Sequence, residues 1–186
     1  MAISIDGSGT FTGVSVGGFN SGIVNTATLA DGAATQDKRT YAANEVVQVV
    51  VSEFEMSTNT MTNGTYTSVA ATGLTATITP KFNNSKIIFE TNLYVGLNDQ
   101  DGYARWQVYD TTNSRQFHNN TYCGASHYYQ GHTQGFENVH IRCVGSSVNT
   151  NAMTLAVRAL IGSGGTLNFS WSGSDNRIVT MTEIKQ

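Results

Sequence analysis

Apolar and polar residues alternate with a period of two along most of the chain from residue 45 onward. Leu74, Ala76 and Ile78 alternate with three threonines before Pro80, which predicts a strand with one apolar and one hydroxylated face. Six further segments, each bounded by Gly, Asn, Ser or Asp, are candidate strands: Lys86–Leu97, Tyr103–Tyr109, Phe136–Val144, Met153–Ile161, Thr166–Trp171 and Arg177–Ile184. About eight short strands without a long helical period predict an all-β, jelly-roll-like two-sheet sandwich.

Two local signals stand at the start of this region. Residues 46–51 read VVQVVV, and such a nearly continuous β-branched run predicts a strand that is covered on both faces. Asn63 and Gly64 form the dipeptide that most often closes a tight hairpin. They predict a hairpin between residues 56–61 and 65–71.

The first 44 residues differ in composition from the rest of the chain. They hold seven of the 19 glycines and only nine Val, Ile, Leu or Phe residues. Since a segment of this size rarely sustains its own core, we predict an extended N-terminal attachment arm at 1–44 and a sandwich domain at 45–186. The alternative is that the segment adds a strand to the sandwich of its own chain. The apolar positions available for anchoring the arm are Ile3, Ile5, Phe11, Val14, Val16 and Phe19.

Charge and hydropathy argue against two classes of partner. Ten Lys and Arg residues against 13 Asp and Glu residues give a formal net charge of -3, so we expect no nucleic-acid partner. The sequence has no apolar run of about 18 residues, and its start, MAISIDGSG, lacks the basic and apolar order of a signal peptide. We therefore expect no membrane insertion, and synthesis in a cytosol with retention there or release by lysis.

A zinc site is the sharpest chemical hypothesis that the sequence offers. Cys123, His127, His140 and Cys143 follow the spacing C-x3-H-x12-H-x2-C, which could supply four zinc ligands. Strand alternation, however, places His140 on the face opposite Cys143, so we predict no metal and no other cofactor. We expect both cysteines to be buried thiols, although one disulfide between neighbouring strands is geometrically open.

Catalytic motifs are sparse. The sequence has no G-x-S-x-G nucleophile elbow and no phosphate-binding loop. Asp99 and Asp101 are more simply explained as solvated carboxylates in a turn than as part of a calcium site. A polysaccharide depolymerase would need two facing carboxylates, and acidic residues are scarce at core-facing strand positions. We therefore predict that the protein is not an enzyme.

Residues 119–135 form the longest stretch without a clear period and predict an exposed loop. The loop concentrates aromatic and imidazole side chains among amides, and sugar rings stack on such side chains. This pattern makes it a candidate receptor or glycan-binding loop, with Tyr122, His127, Tyr128, Tyr129 and His132 as its candidate contacts. On the neighbouring strand, alternation places Trp106 in the core with Ala104 and Val108, while Tyr103, Arg105, Gln107 and Tyr109 lie on the other face.

The order of several segments resembles a known group of proteins. These segments are SIDGSGTFTGVSVGG, EVVQVVVSEFE, YTSVAATGLTATITPKFNNSKIIFETNLYVG and IVTMTEIKQ. They resemble small tail-fibre-like or structural proteins of tailed bacteriophages, particularly of marine and cyanobacterial phages. The most specific elements are TGLTATITPKFNNSKIIFETNLYVG and the ending TMTEI, which are fold motifs and not catalytic ones. Residues 119–135 are not part of the resemblance.

The resemblance implies a compact jelly roll, often a homotrimer, held on the virion by its N-terminal arm. It implies a fibre, spike or capsid-decoration protein whose partners are other virion proteins of the capsid or tail. A trimer would also cover the apolar face of the valine-rich strand, so Val47, Val49 and Val51 are the candidate subunit interface. The alternative function is host attachment through a surface glycan or receptor.

Overall fold

A computed structural model describes residues 4–5, 11–12, 40–56, 59–62, 70–98, 103–119, 122–123, 127–128, 135–162, 166–169 and 175–186. The chain divides into two compact units, Met1–Thr40 and Tyr41–Gln186. In the first unit, β1 (Ser4–Ile5) pairs antiparallel with β2 (Phe11–Thr12). Within the described residues, no helix is long and apolar enough to cross a membrane.

The described residues of the second unit form eleven strands. They are β3 (Val46–Met56), β4 (Asn59–Thr62), β5 (Ala70–Ile78), β6 (Lys86–Asn98), β7 (Tyr103–Asp110), β8 (Arg115–Gln116), β9 (His127–Tyr128), β10 (Gly135–Ser146), β11 (Met153–Gly162), β12 (Thr166–Phe169) and β13 (Asp175–Ile184). The predicted strands from Lys86 onward agree with these bounds to within two residues at each end.

The strands form two antiparallel sheets of four rows each. In the first sheet, β10 lies beside β6, β6 beside β12 and β13, and these two beside β4 and β3. In the second sheet, the rows are β5, β11, β7, and then β8 with β9. Rows that are consecutive along the chain lie in opposite sheets, with one exception. β7 and the row formed by β8 and β9 lie in the same sheet. This is jelly-roll connectivity, and the predicted all-β two-sheet sandwich is confirmed.

The core lies between the two sheets and is made by the alternation read in the sequence. Along β7, buried and half-buried residues alternate without a break, and Ala104, Trp106 and Val108 are fully buried as predicted. Facing strands contribute Phe89 and Leu93 from β6, together with residues of β10, β11 and β13. One face of each of these strands is therefore removed from water, which supplies the main stabilising free energy of the sandwich.

The valine-rich strand β3 departs from the prediction that both of its faces are covered. Val47 is 3% exposed, whereas Val49 and Val51 are 56% and 58% exposed within the chain. Val49 pairs with Thr182, but Val46 pairs with Ile184, so β3 has an extra residue at Val47. This bulge places Val47 in the interior while Val49 and Val51 face outward.

The predicted hairpin at Asn63 and Gly64 lies outside the described residues, which leave out residues 63–69. β4 pairs with β12 in the first sheet, and β5 pairs with β11 in the second. β4 and β5 therefore belong to different sheets, as jelly-roll connectivity requires.

A buried carboxylate joins the two motifs that carry the bacteriophage resemblance. Glu183, in the ending TMTEI, is fully buried beside the turn that connects β5 to β6. Its oxygens accept hydrogen bonds from the backbone N–H of Lys81 at 3.0 Å and of Phe82 at 3.2 Å, and from Ser85 Oγ at 2.6 Å. Gln48 Nε2 also donates to it at 2.7 Å and to Thr79 O at 2.7 Å. Glu183 therefore ties together β3, β13 and the turn at residues 79–85.

Candidate functional site

The proposed anchoring residues of the arm are only partly within the described chain. Ile5 and Phe11 are register partners in the β1–β2 pair. Ile3, Val14, Val16 and Phe19 lie outside the described residues. At the start of the second unit, Tyr41 is buried, and its carbonyl accepts a hydrogen bond from Lys185 Nζ at 2.7 Å. Tyr41 is therefore fixed beside the last strand.

Of the three valines in the candidate subunit interface, two are exposed. Val47 belongs to the core of its own chain, so Val49 and Val51 are the interface candidates that face solvent. Strand register continues the Val49 position across the whole outer face of the first sheet, through Thr182 and Ile88 to Val144. We call the four residues Val49, Thr182, Ile88 and Val144 the aliphatic row. The adjacent position carries an ion pair, with Arg142 Nε 2.9 Å from Glu90 Oε1.

The candidate receptor loop is described at three of its five predicted contacts. Tyr122 is half-buried, and the backbones of His127 and Tyr128 pair with Ala104 and Tyr103 on β7. Tyr129 and His132 lie outside the described residues. Cys123, in the middle of the predicted exposed loop, is buried, and its N–H donates to Trp106 O at 2.7 Å. This part of the loop therefore packs along the edge of the second sheet.

Tyr122 also belongs to a surface that combines aromatic and guanidinium groups on the outer face of the second sheet. The Arg105 guanidinium lies 4.9 Å from the centre of the Tyr103 ring and 5.1 Å from that of Tyr122. Arg158, on β11, lies 3.4 Å from the Tyr109 ring centre. We call these five residues the aromatic–arginine surface. Alternation predicted the outward face of Tyr103, Arg105 and Tyr109, but Arg158 comes from a strand that pairs with β7 only in the folded chain.

A cavity of about 620 Å³ opens at the edge shared by the two sheets. Its lining includes His118 and Cys123, from the segment between β8 and β9 of the second sheet. It also includes Cys143, from β10 of the first sheet. Among the described residues, an isolated β-bridge between His118 and Gly145 joins the two edges. We call this cavity the thiol pocket, and the residues that line it are His118, Asn119, Tyr122, Cys123, Arg142, Cys143 and Val144.

The pKa values of the two pocket thiols are shifted in opposite directions. A hydrogen bond from the Cys143 thiol, and a hydrogen bond and positive charge from His118, lower the pKa of Cys123 to about 5 against the opposing effect of burial. The same hydrogen bond, burial and the charge of Cys123 raise the pKa of Cys143 above its ordinary value. The two thiols therefore titrate as a coupled pair, in which Cys123 has the lower pKa.

His118 is a pocket residue that the sequence pattern did not single out. It is 7% exposed and borders Cys123, and its Nε2 has no hydrogen-bond partner among the described residues. Four histidines lie in this quarter of the sequence, and nothing in the spacing of His118 distinguished it from the others. His118 reaches the pocket because the segment that follows β8 lies antiparallel to β10 at Gly145.

The zinc spacing seen in the sequence is not assembled on β10. Cys143 is buried and His140 is exposed on the opposite face, for the reason that alternation predicted. Within the described ranges, no group of three or more His, Cys, Asp or Glu residues is arranged to hold a metal ion. Both cysteines are free thiols in the structure.

Comparison with known proteins does not assign the chain to a family. No protein-family model matches the sequence, and no curated protein matches it either.

Proposed function

We propose that this protein is a structural component of a bacteriophage virion, as a fibre, spike or capsid-decoration protein. Residues of the first unit attach it to other virion proteins, and the sandwich faces outward. The observation that carries the proposal is the meeting of the two resemblance motifs at Glu183, inside a jelly roll. Because each motif has its own structural role in one buried network, their joint presence in the sequence is better explained by a shared fold than by chance.

Three further observations support a structural role. Jelly rolls are common among viral capsid domains, although a fold alone does not define a function. Residues Met1–Thr40 form a compact unit of their own, which is compatible with an attachment segment. The outer face of the first sheet also exposes Val49 and Val51, which a second copy of the chain could cover.

Deletion of residues 2–40 tests the attachment role. We expect the remaining chain to fold, because Tyr41 and the eleven strands of the sandwich are retained, but to be missing from assembled particles. Particle composition is measured by mass spectrometry of purified virions, and circular dichroism of the shortened chain confirms its fold. Incorporation of the shortened chain at the normal level would contradict the assignment.

A second candidate function is recognition of a host-surface glycan by the aromatic–arginine surface. Its half-buried tyrosine rings provide faces for sugar stacking, and the guanidinium groups of Arg105 and Arg158 provide hydrogen-bond donors. Tyr122 connects this surface to the predicted receptor loop, so both could contact one ligand.

Glycan-array binding by the full-length protein tests this second function. We expect the Tyr103→Ala and Tyr122→Ala variants to lose binding, because each removes a ring next to Arg105. Tyr94→Ala is the matched control, since Tyr94 is a half-buried tyrosine on β6 of the other sheet. Equal loss in all three variants, or normal host adsorption by phage that carry the first two, would argue against the surface as the receptor site.

A further inference from the structure

The thiol pocket has features that neither a structural role nor glycan binding uses. Two cysteines from opposite sheets line the same cavity, and each perturbs the pKa of the other. A buried imidazole borders them and has an Nε2 that no other described group satisfies. Buried polar atoms are nearly always satisfied, so an unpartnered ring nitrogen beside a thiol pair indicates a chemical role for the pocket.

We propose that Cys123 and Cys143 are a redox modification site, in which hydrogen peroxide or another hydroperoxide converts the thiol pair into a disulfide. Cys123 is the attacking residue and Cys143 the resolving residue. His118 is a positioning residue that holds the Cys123 sulfur in its reactive form. This inference does not depend on the proposed virion function, because it uses only the contacts within one chain.

The first chemical step is the oxidation of Cys123. Its thiolate attacks one peroxide oxygen, so an S–O bond forms as the O–O bond breaks. Cys123 becomes a sulfenic acid, and the departing hydroxide takes up a proton to become water. The low pKa of Cys123 supports this order, since the thiolate and not the thiol is the nucleophile.

The second step forms the disulfide. The Cys143 sulfur attacks the Cys123 sulfur, the S–S bond forms and the S–O bond breaks, and the proton of Cys143 leaves with the hydroxyl group as a second water. Two thiols and one peroxide thus give one disulfide and two waters. Cys143 keeps its proton until this step, because the neighbouring thiolate raises its pKa.

The position of the pair gives the disulfide a structural consequence. Cys123 is hydrogen bonded to β7 at the edge of the second sheet, and Cys143 lies on β10 at the edge of the first. A bond between them would join the two sheets across that edge. It would also close a loop over residues 124–142, which include four of the five predicted receptor contacts.

Peptide mapping of the full-length protein tests the proposal. The reduced protein is freed of reductant, treated with hydrogen peroxide near stoichiometry, alkylated under denaturing conditions and digested with trypsin. Because Arg142 immediately precedes Cys143, cleavage places Cys123 in peptide 116–142 and Cys143 in peptide 143–158. We expect these two peptides to be joined after peroxide and separated again by dithiothreitol. Two alkylated cysteines after treatment, or sulfinic acid at Cys123 without a joined peptide, would overturn the proposal.

Single variants test the assigned order. In Cys143→Ser, Cys123 should stop at the sulfenic acid, which dimedone traps. In Cys123→Ser, the remaining Cys143 should react with peroxide at least about tenfold more slowly than Cys123 does in the first variant. His118→Asn should slow disulfide formation in the otherwise unchanged chain, with the rate profile moved to higher pH, whereas His140→Asn, on the exposed face of β10, should not. Equal peroxide rates for the two cysteine variants would contradict the order, and an unchanged profile in His118→Asn would contradict the role of His118.

Discussion

Glu183 shows how one residue can hold several parts of the fold together. Burial of a carboxylate without partners is costly, but here four groups donate hydrogen bonds to it, two of them backbone N–H groups of the turn after β5. Without the carboxylate, these donors would lose their acceptor inside the sandwich. The sequence marked TMTEI as distinctive, and the structure gives the physical reason.

Replacement of this residue should therefore be strongly destabilising. We expect Glu183→Ala to lower the free energy of unfolding by roughly 3 kcal/mol, because one buried and three part-buried donors lose this acceptor. Chemical denaturation monitored by fluorescence measures the change. Thr180→Ala, at a half-buried position on the same strand, is the control and should change stability by less than about 1 kcal/mol. Equal effects of the two substitutions would show that the network contributes little.

The Cys123 thiolate predicts a pH dependence of stability under reducing conditions. The pKa of Cys123 is about 5 in the folded chain and near its ordinary value of 9.0 in the unfolded chain. Between these values only the unfolded chain binds the proton, so the contribution to stability grows as pH rises and is lost as pH falls towards 5.

Urea denaturation of the wild type and of Cys123→Ser between pH 6 and pH 8, with reductant present, measures this contribution. The stability difference between the two proteins should grow in favour of the wild type by up to about 1.4 kcal/mol per pH unit. A difference that stays constant over this range would contradict the thiolate assignment.

At the scale of elements, most strands could be predicted because each depends on local alternation and on turn residues. The segments from Lys86 onward and the burial of Trp106 follow from the period of two alone. The bulge at Val47 could not be predicted, since it arises from register against β13. The thiol pocket was out of reach for the same reason: His118 meets Cys123 and Cys143 only when two sheet edges come together.

Gly145 is the residue of β10 that permits this close approach. A Cβ at this position would lie 2.7 Å and 2.8 Å from two ring carbons of Phe117 and would also contact the Phe117 carbonyl oxygen. We expect Gly145→Ala to destabilise the protein by about 1–3 kcal/mol through overpacking and to separate His118 from β10. Thermal unfolding measures the loss of stability, and the rate of Cys123 alkylation in the native protein should increase.

The neighbouring Ser146→Ala is the control for this prediction. Ser146 is exposed and contributes its backbone carbonyl to Arg115, a contact that alanine retains. Ser146→Ala should leave the thermal stability and the rate of Cys123 alkylation close to those of the wild type. A Gly145→Ala variant with unchanged stability would show that Phe117 can move aside at little cost.

At the scale of the whole molecule, the disulfide should make stability depend on redox state. Closure of the loop over residues 124–142 should raise the free energy of unfolding by about 3 kcal/mol, since the bond restricts the unfolded chain. Thermal unfolding of the reduced and the peroxide-treated protein measures this difference. Cys143→Ser should show no such gain after the same treatment, and a gain in that variant would trace the effect to another oxidation.

The outer face of the first sheet predicts the assembly of the molecule. Val49 and Val51 are more than half exposed, and the aliphatic row crosses all four rows of strands, so a symmetric association of copies would remove this surface from water. We expect the full chain to be a trimer at micromolar concentration by light scattering. A Val49→Asp and Val51→Asp double variant should be monomeric, because burial of two carboxylates in the interface is costly. Val148→Asp, at an exposed valine between β10 and β11, should leave the trimer intact. A monomeric wild-type chain would contradict the interface, and a trimeric double variant would place it on another surface.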